Sequence, residues 1–305
     1  MRSEKLLKLI LAVLVLILLL ILIKASGAAQ KLRDPVLTEP MKKSRTIPKI
    51  IWAYWNNNTL PEFIKMCVGT WRKHNPDFEI NVITPKTLSK YVDINVKRIH
   101  WNDCPAREAD IIRAFVIEKY GGFWSDASII MTKSLNHFIE KNKEFIGYYL
   151  NGYTTNMNYP VIECWFFGSV AHGDFIRRWK AAFFNADNFP SIEYLVKYYI
   201  NEGVDLQKLA VPTYLLMNVS AQYVMQKQMS LEEIRSTMYL QSAESGPFKY
   251  LHENGWDNNK ALESLCKGEN VTGIIKFTGD QRKIIINNKK LTECIFTGVE
   301  ESPLY

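Results

Sequence analysis

Tyr120-Gly121-Gly122-Phe123-Trp124-Ser125-Asp126-Ala127-Ser128-Ile129-Ile130-Met131 joins a helix to a strand and sets one acid inside an apolar run. Upstream, Pro105 opens a helix predicted from Arg107 to Tyr120. Ala109, Ile112, Val116 and Tyr120 recur along it at the spacing of one buried face. Asp110 and Arg113 lie three residues apart, so they are neighbours on the helix surface. Taken alone, that pair reads as a surface ion pair. Gly121-Gly122 ends the helix, where a left-handed cap favours glycine. Phe123-Trp124 then starts a strand, Ser125 to Ser128 interrupts it, and Ile129-Ile130-Met131 resumes it. An acid in an apolar strand is costly unless it is paired or liganded. Two arrangements meet that need: a bound cation or sugar hydroxyl, or a turn in which Ser125 and Asp126 bond to nearby backbone.

Toward the N-terminus, Lys49-Ile50-Ile51-Trp52-Ala53-Tyr54-Trp55 is dense in β-branched and aromatic residues and reads as a buried strand. Pro61 opens a helix with Glu62 in its first turn, closed by His74-Asn75-Pro76-Asp77. Phe78 to Ile83 alternates as a half-buried strand, and Thr84-Pro85 reads as the cap and first residue of another helix through Leu88 to Tyr91. The β–α–β–α order predicts an α/β fold with parallel strands and right-handed crossovers. Ligands in such sheets sit beyond the carboxyl ends of the strands. Trp52 and Tyr54 therefore end their strand near an expected ligand, although alternation sends some of these aromatics into the core.

Ile47-Pro48-Lys49-Ile50-Ile51-Trp52, Trp71 to Glu79, Ala109-Asp110-Ile111-Ile112-Arg113 and Tyr120 to Ser128 form an ordered series. The series resembles the capsular polysaccharide synthesis glycosyltransferases. It is similar, more broadly, to the sugar-nucleotide transferases that include fungal Golgi initiating mannosyltransferases and glucosylating toxins. The likeness is dense over residues 47–135. It implies a GT-A fold, a Rossmann-like domain that binds a nucleotide-sugar donor, usually with a divalent metal. Trp52 looks like the aromatic that stacks on the base, and Asp110 and Arg113 like the pair that contacts ribose and sugar. Asp126 matches the first acid of an Asp-x-Asp motif, and Ser128 stands where the second acid usually stands. The resemblance thus implies Asp126 and Arg113 as catalytic residues. It implies donor binding by Trp52, Tyr54, Asp110, Arg113, Gly122, Trp124, Ser125, Asp126, Gly246 and Lys276. Mn²⁺ or Mg²⁺ would sit at Asp126 and Ser128, with metal dependence left open because a serine hydroxyl is a weak ligand. Glu244-Ser245-Gly246-Pro247 resembles a Thr-Gly-Pro loop near the donor sugar. After Ile274-Ile275, either Lys276 or Thr278 is expected at the diphosphate, the alternative for Lys276 being a solvated strand-end charge. Glu163-Cys164-Trp165 is assigned to the acceptor side without a motif behind it.

The chain of 305 residues carries a formal charge of +7, which taken alone suggests a nucleic-acid partner. Residues 1–47 hold nine of the basic residues and three of the acids, so the remainder is within one charge of neutral. A basic nucleic-acid-binding domain is excluded on that count. Leu9 to Ile23 is uninterruptedly apolar and flanked by basic residues. We expect residues 1–8 as a cytoplasmic tail, 9–24 as a transmembrane signal anchor, 25–46 as a stem and 47–305 as the glycosyltransferase domain. The rival is a signal peptide cleaved near Ser26-Gly27-Ala28-Ala29. Either way the domain is expected to be lumenal or extracytoplasmic, in the Golgi if the cell is eukaryotic. Sequons at Asn57, Asn218 and Asn270 agree with that placement. Five cysteines allow one or two disulfides, with the pairing open.

The activity expected is hexosyl transfer from a nucleotide sugar to a glycan or polysaccharide acceptor, with retention implied by the resemblance. The alternative is a binding module of the same fold that holds sugar or nucleotide without turnover. Glycosidase chemistry needs two acids flanking one bond, and only Asp126 is placed for it by pattern.

Overall fold

The computed structural model describes residues 46–298. The expected tail, anchor and all but the last residue of the stem lie outside the described residues, as do residues 299–305. Among the described residues no helix is long and apolar enough to cross a membrane.

Strand β1 is Ile50–Tyr54 and β2 is Glu79–Ile83, joined by helix α1, Glu62–His74. Helix α1 has Glu62 in its first turn and Arg72, Lys73 and His74 in its last, which complements the helix dipole. The helix expected after Thr84-Pro85 does not form. The Thr87 hydroxyl accepts from the Thr84 N–H at 3.0 Å and the Thr84 carbonyl accepts from the Thr87 N–H at 2.9 Å, closing a turn. Only a short 3₁₀ turn, Leu88–Lys90, follows. Helix α2, Pro105–Tyr120, leads into β3, Gly122–Ser125, and then β4, Ile129–Met131. Strands β5, Phe145–Tyr149, and β6, Ile162–Ser169, precede the helices α3, Asp174–Phe184, α4, Ile192–Asn201, and α5, Leu216–Tyr223. Helix α6, Leu231–Thr237, β7, Met238–Ser242, α7, Asn258–Cys266, β8, Ile274–Lys276, α8, Gly279–Ile286, and α9, Lys289–Ile295, complete the described chain.

The main sheet has the order β2-β1-β3-β6-β5-β7. Strand β1 is parallel to both β2 and β3, β6 runs antiparallel to β3 and β5, and β7 is parallel to β5. The mixed α/β class therefore holds, with the parallel part confined to β2-β1-β3 and β5-β7. Alternation fixes what each face covers. Trp52 and Tyr54 pack with Trp124, Phe167 and the α2 residues Ile111, Ile112 and Val116. Ile51 and Ala53 pack with Phe123, Phe166 and the α1 residues Phe63, Ile64 and Val68 on the other face.

The apolar run predicted as one interrupted strand is divided between two sheets. Strand β3 belongs to the main sheet, while β4 pairs antiparallel with β8, with Ile129 opposite Lys276. The interruption at Asp126 is the crossing between them, and its backbone closes a turn from the Ile129 N–H to the Asp126 carbonyl at 3.0 Å.

The helix-to-strand corner depends on its two glycines. Gly122 has φ +93°, and a Cβ there would meet the Ile50 carbonyl oxygen at 2.6 Å. Gly122→Ala is expected to cost at least about 2 kcal/mol, because strain and a backbone clash add at one residue. Equilibrium urea denaturation measures it; a change below about 0.5 kcal/mol contradicts the expectation.

The disulfide is Cys266–Cys294, which ties the end of α7 to α9 and encloses β8 and α8 between its ends. Cys67, Cys104 and Cys164 are free.

Candidate active site

A cavity of about 450 Å³ opens where β1 and β3 end at their carboxyl termini. Strand order reverses between these neighbours, the position at which α/β sheets bind ligands. Tyr54, Trp55 and Asn56 reach it from the end of β1, Asp126, Ala127 and Ser128 from the crossing after β3, and Asp110 and Arg113 from α2. The antiparallel strand β6 adds Glu163, Cys164 and Trp165, because its amino end lies beside the carboxyl end of β3. The Asp126 N–H donates to the Trp165 carbonyl at 2.8 Å, which fixes the crossing against β6.

Charge is concentrated on the cavity floor. Arg113 is 4% exposed and bridges two acids, with Nη1 at 2.8 Å from Asp110 Oδ1 and Nη2 at 3.1 Å from Asp126 Oδ1. Lys276 Nζ lies 2.8 Å from Asp126 Oδ2, brought there by the pairing of β8 with β4. Trp124 Nε1 donates to Asp126 Oδ1 at 3.3 Å, and the Trp124 ring lies under the Arg113 guanidinium with 5.0 Å to its centroid. Arg107 is fully buried one turn before Asp110, 3.5 Å from its Oδ2, and donates to the Thr213 carbonyl.

These contacts set the protonation states. Burial raises the Asp126 carboxyl, but Lys276 and Arg113 outweigh it and hold it below the ordinary range. Burial pushes Asp110 up to about 6 against the pull of Arg113 and Arg107, with Asp126 adding to the rise. Glu163 goes to about 7: burial raises it, a Trp165 hydrogen bond and Lys276 lower it, and Glu244 and Asp126 raise it further. Burial also pushes the Cys164 thiol up to about 12, so it stays protonated. Burial works against the Arg113 charge, and the carboxylates of Asp110 and Asp126 hold it protonated.

The raised carboxyls imply a pH dependence of stability. Their folded values, about 6 and about 7, exceed the ordinary 3.8 and 4.5, so the folded state holds these protons more tightly than the unfolded chain. That stabilisation is complete below the ordinary values and is lost as pH rises through about 6 and then about 7. Glu163→Gln should flatten the fall in melting temperature as pH rises from about 4.5 to about 7. An unchanged profile contradicts the assignment to Glu163.

Of the expected site residues, Tyr54, Asp110, Arg113, Trp124, Asp126 and Ser128 line the cavity, and Lys276 reaches Asp126 from behind it. The others do not. Trp52 is 2% exposed, donates Nε1 to the Gly121 carbonyl at 2.9 Å and packs against Tyr91 and Tyr120, so its ring is a core element rather than an open platform for a base. Gly122 sits against Ile50 and serves the corner. Ser125 is fully buried, and its hydroxyl lies 3.4 Å from the Asp126 carbonyl, behind the site. Gly246 packs against Tyr148, and its neighbour Pro247 accepts the Lys276 N–H at 3.2 Å, so this loop backs the strand that carries Lys276. The sequon at Asn218 is also corrected: the side chain is 1% exposed in α5 and donates to the Ile162 carbonyl at 2.9 Å. It lines the cavity and is closed to glycosylation.

Tyr214, Leu215, Asn218 and Arg282 line the cavity and were not singled out for it from the sequence. A signal existed for Arg107, since Arg107, Asp110 and Arg113 recur every three residues along one helix. No local pattern marks the other four.

The residues present do not fit a resident divalent cation. Both Asp126 oxygens already accept from cationic or indole donors, and Ser128 supplies only a hydroxyl. Among the described residues no group of three or more His, Cys, Asp or Glu side chains gathers as a cation site.

Inositol phosphoceramide mannosyltransferase 3 of Schizosaccharomyces pombe is 28% identical over 102 residues, covering 31% of this chain and 28% of the relative's length. The matched part thus spans less than a third of that protein. Among solved structures, the PaToxG glycosyltransferase aligns over 90% of this chain and 94% of its own at 13% identity, with a TM-score of 0.37. The profile of the family described as capsular polysaccharide synthesis protein matches residues 30–267, a span that contains β1, α2, the Asp126 crossing and β6. The chain belongs to the capsular polysaccharide synthesis protein family.

Proposed function

We propose that the chain is a membrane-anchored glycosyltransferase of GT-A type. It moves a hexosyl unit from a nucleotide-sugar donor to a glycan or polysaccharide acceptor with retention of configuration. One observation carries the reading: Asp126 stands at the carboxyl-end mouth of the sheet, held between Arg113 and Lys276, in a cavity of ligand size. Family membership and the mannosyltransferase relative support the hexosyl class.

The chemistry follows from the charges. The bond between the anomeric carbon and the phosphate oxygen breaks, and its electron pair leaves with the nucleoside diphosphate. The acceptor hydroxyl oxygen bonds the anomeric carbon, and its proton passes to an oxygen of the departing phosphate. Arg113 and Lys276 stabilise the charge that develops on the leaving group. Asp126 orients the sugar and keeps both cations in place. The walls from β6 and the exposed Tyr214 at the rim suit an acceptor sugar, which packs on aromatic faces.

The apolar run Leu9 to Ile23 supports a signal anchor, and the disulfide supports an oxidising lumenal or extracytoplasmic setting. A thermal-shift screen of the full chain in detergent against UDP-, GDP- and ADP-linked sugars tests the proposal. Stabilisation by one nucleotide class is expected, followed by release of its nucleotide on turnover. Failure of every nucleotide sugar to stabilise the chain contradicts it.

A further inference from the structure

The site is built around a carboxylate whose two oxygens each already accept from a positively charged side chain. Asp126 Oδ1 accepts from Arg113 Nη2 at 3.1 Å and Trp124 Nε1 at 3.3 Å, and Oδ2 accepts from Lys276 Nζ at 2.8 Å. A divalent ion at Asp126 would have to displace one of two fixed positive charges and then sit beside both, an arrangement that like-charge repulsion disfavours. Neither cation is casually placed. Arg113 is held by Asp110 and by the Trp124 ring. Lys276 is set by strand register opposite Ile129 and by its backbone bond to Pro247, and its ammonium lies 5.8 Å from the Trp165 ring centroid.

A third cation, Arg282, lines the same cavity from α8, and its buried Nε has no hydrogen-bond partner among the described residues. Lys276 makes one of the three hydrogen bonds its ammonium can donate to Asp126, which leaves donors for a second anion. The position that would carry a second acidic ligand holds Ser128, 5% exposed on the cavity wall. Lys276 and Arg282 keep donors that no acid of the site uses, and with Arg113 they make a receptor for a doubly charged oxyanion, whose charge-assisted hydrogen bonds are the strong kind.

We propose that the diphosphate of the donor is neutralised by Lys276, Arg113 and Arg282 rather than by a divalent cation, so that donor binding is metal-independent. The inference rests on the donor reading above. Arg113 and Lys276 exchange part of their hold on Asp126 for phosphate oxygens when the nucleotide enters, and Arg282 satisfies its free donor. Release of the diphosphate restores the ion pairs with Asp126.

Calorimetric titration of the full chain with UDP and with GDP, in excess EDTA and again with Mn²⁺ or Mg²⁺, tests this. The dissociation constant of whichever nucleotide binds is expected to agree within about threefold between the two conditions. Lys276→Met should weaken it by about tenfold or more in both, and Arg282→Gln should weaken it in the same sense. The wild-type comparison stands whether or not either variant folds. Binding only with metal, or tightening by metal of more than about tenfold, overturns the inference while leaving the donor reading intact. A folded Lys276→Met that binds as tightly as wild type also overturns it. If neither nucleotide binds under any condition and ADP, titrated in the same way, does not bind either, the donor reading falls, and this inference with it.

Discussion

Asp126→Ala is expected to reduce donor turnover by about 10²–10³-fold or more while the chain stays folded. The side chain is the one group shared by Arg113, Lys276 and Trp124, so its removal frees both cations from the geometry that faces the cavity. Stability should fall too, because two positive charges lose their common partner. The fall should be smaller than the about 3–5 kcal/mol of a fully buried pair, because 28% of the Asp126 side chain reaches solvent. Asp126→Asn separates the two effects. It keeps the shape and an acceptor for Trp124 but removes the charge, so it should recover stability more than turnover. Circular dichroism, melting temperature and nucleotide release, measured on the same preparations, decide the matter. Turnover within about threefold of wild type in either variant contradicts the site assignment.

Arg113→Met is expected to be the most damaging single change to the fold at the site. Its guanidinium is buried on α2 between Asp110 and Asp126, and neither carboxylate has another cation placed as close on the same oxygen. Removing it leaves Asp126 with Lys276 at 2.8 Å and Asp110 with Arg107 at 3.5 Å but no cation between them, at a cost of up to about 3–5 kcal/mol. For a chain of this size that corresponds to a melting temperature lower by about 10 °C. Arg113→Lys keeps the charge but lacks the planar fork that reaches both acids, so it should restore only part of the loss. Lowering the pH should shrink the deficit of Arg113→Met, since protonation of Asp110 relieves the repulsion. A deficit that is constant with pH, or a melting temperature within about 2 °C of wild type, contradicts this role.

The sequence carried the site unevenly, and the reasons are physical. Asp126 was legible because an acid inside an apolar strand needs a partner, whereas Asp110 and Arg113 entered through the family resemblance. Their partnership was not legible, since it depends on β3 ending beside α2. Asp110 and Arg113, which alone read as a surface pair, are buried, with Arg113 set against Trp124 and Asp126 at the end of β3. Lys276 was placed at the site by likeness; its contact with Asp126 comes from β4 pairing with β8, a strand 145 or so residues downstream that no local pattern announces. Trp52 shows the opposite failure. An aromatic at a strand end suits both a core and a ligand platform, and only the observed packing of Tyr91 and Tyr120 around it shows which. The missing helix after Thr84 has a local cause, because a threonine that caps a helix also closes a turn. The β–α–β–α reading held through β2-β1-β3 because each period of apolar residues was long enough to identify. The reversal at β6 was invisible, as an antiparallel central strand is as apolar as a parallel one.

The account's central claim is that the cavity at the carboxyl ends of β1 and β3 receives the diphosphate of a nucleotide-sugar donor. A crystal structure of the chain with the nucleoside diphosphate that stabilises it tests this most directly. The account predicts phosphate oxygens within hydrogen-bonding distance of Lys276 and of Arg113 or Arg282, with the base and ribose toward Tyr54 and Asp110. A nucleotide bound elsewhere, with Arg113, Asp126 and Lys276 still closed on one another, would contradict it.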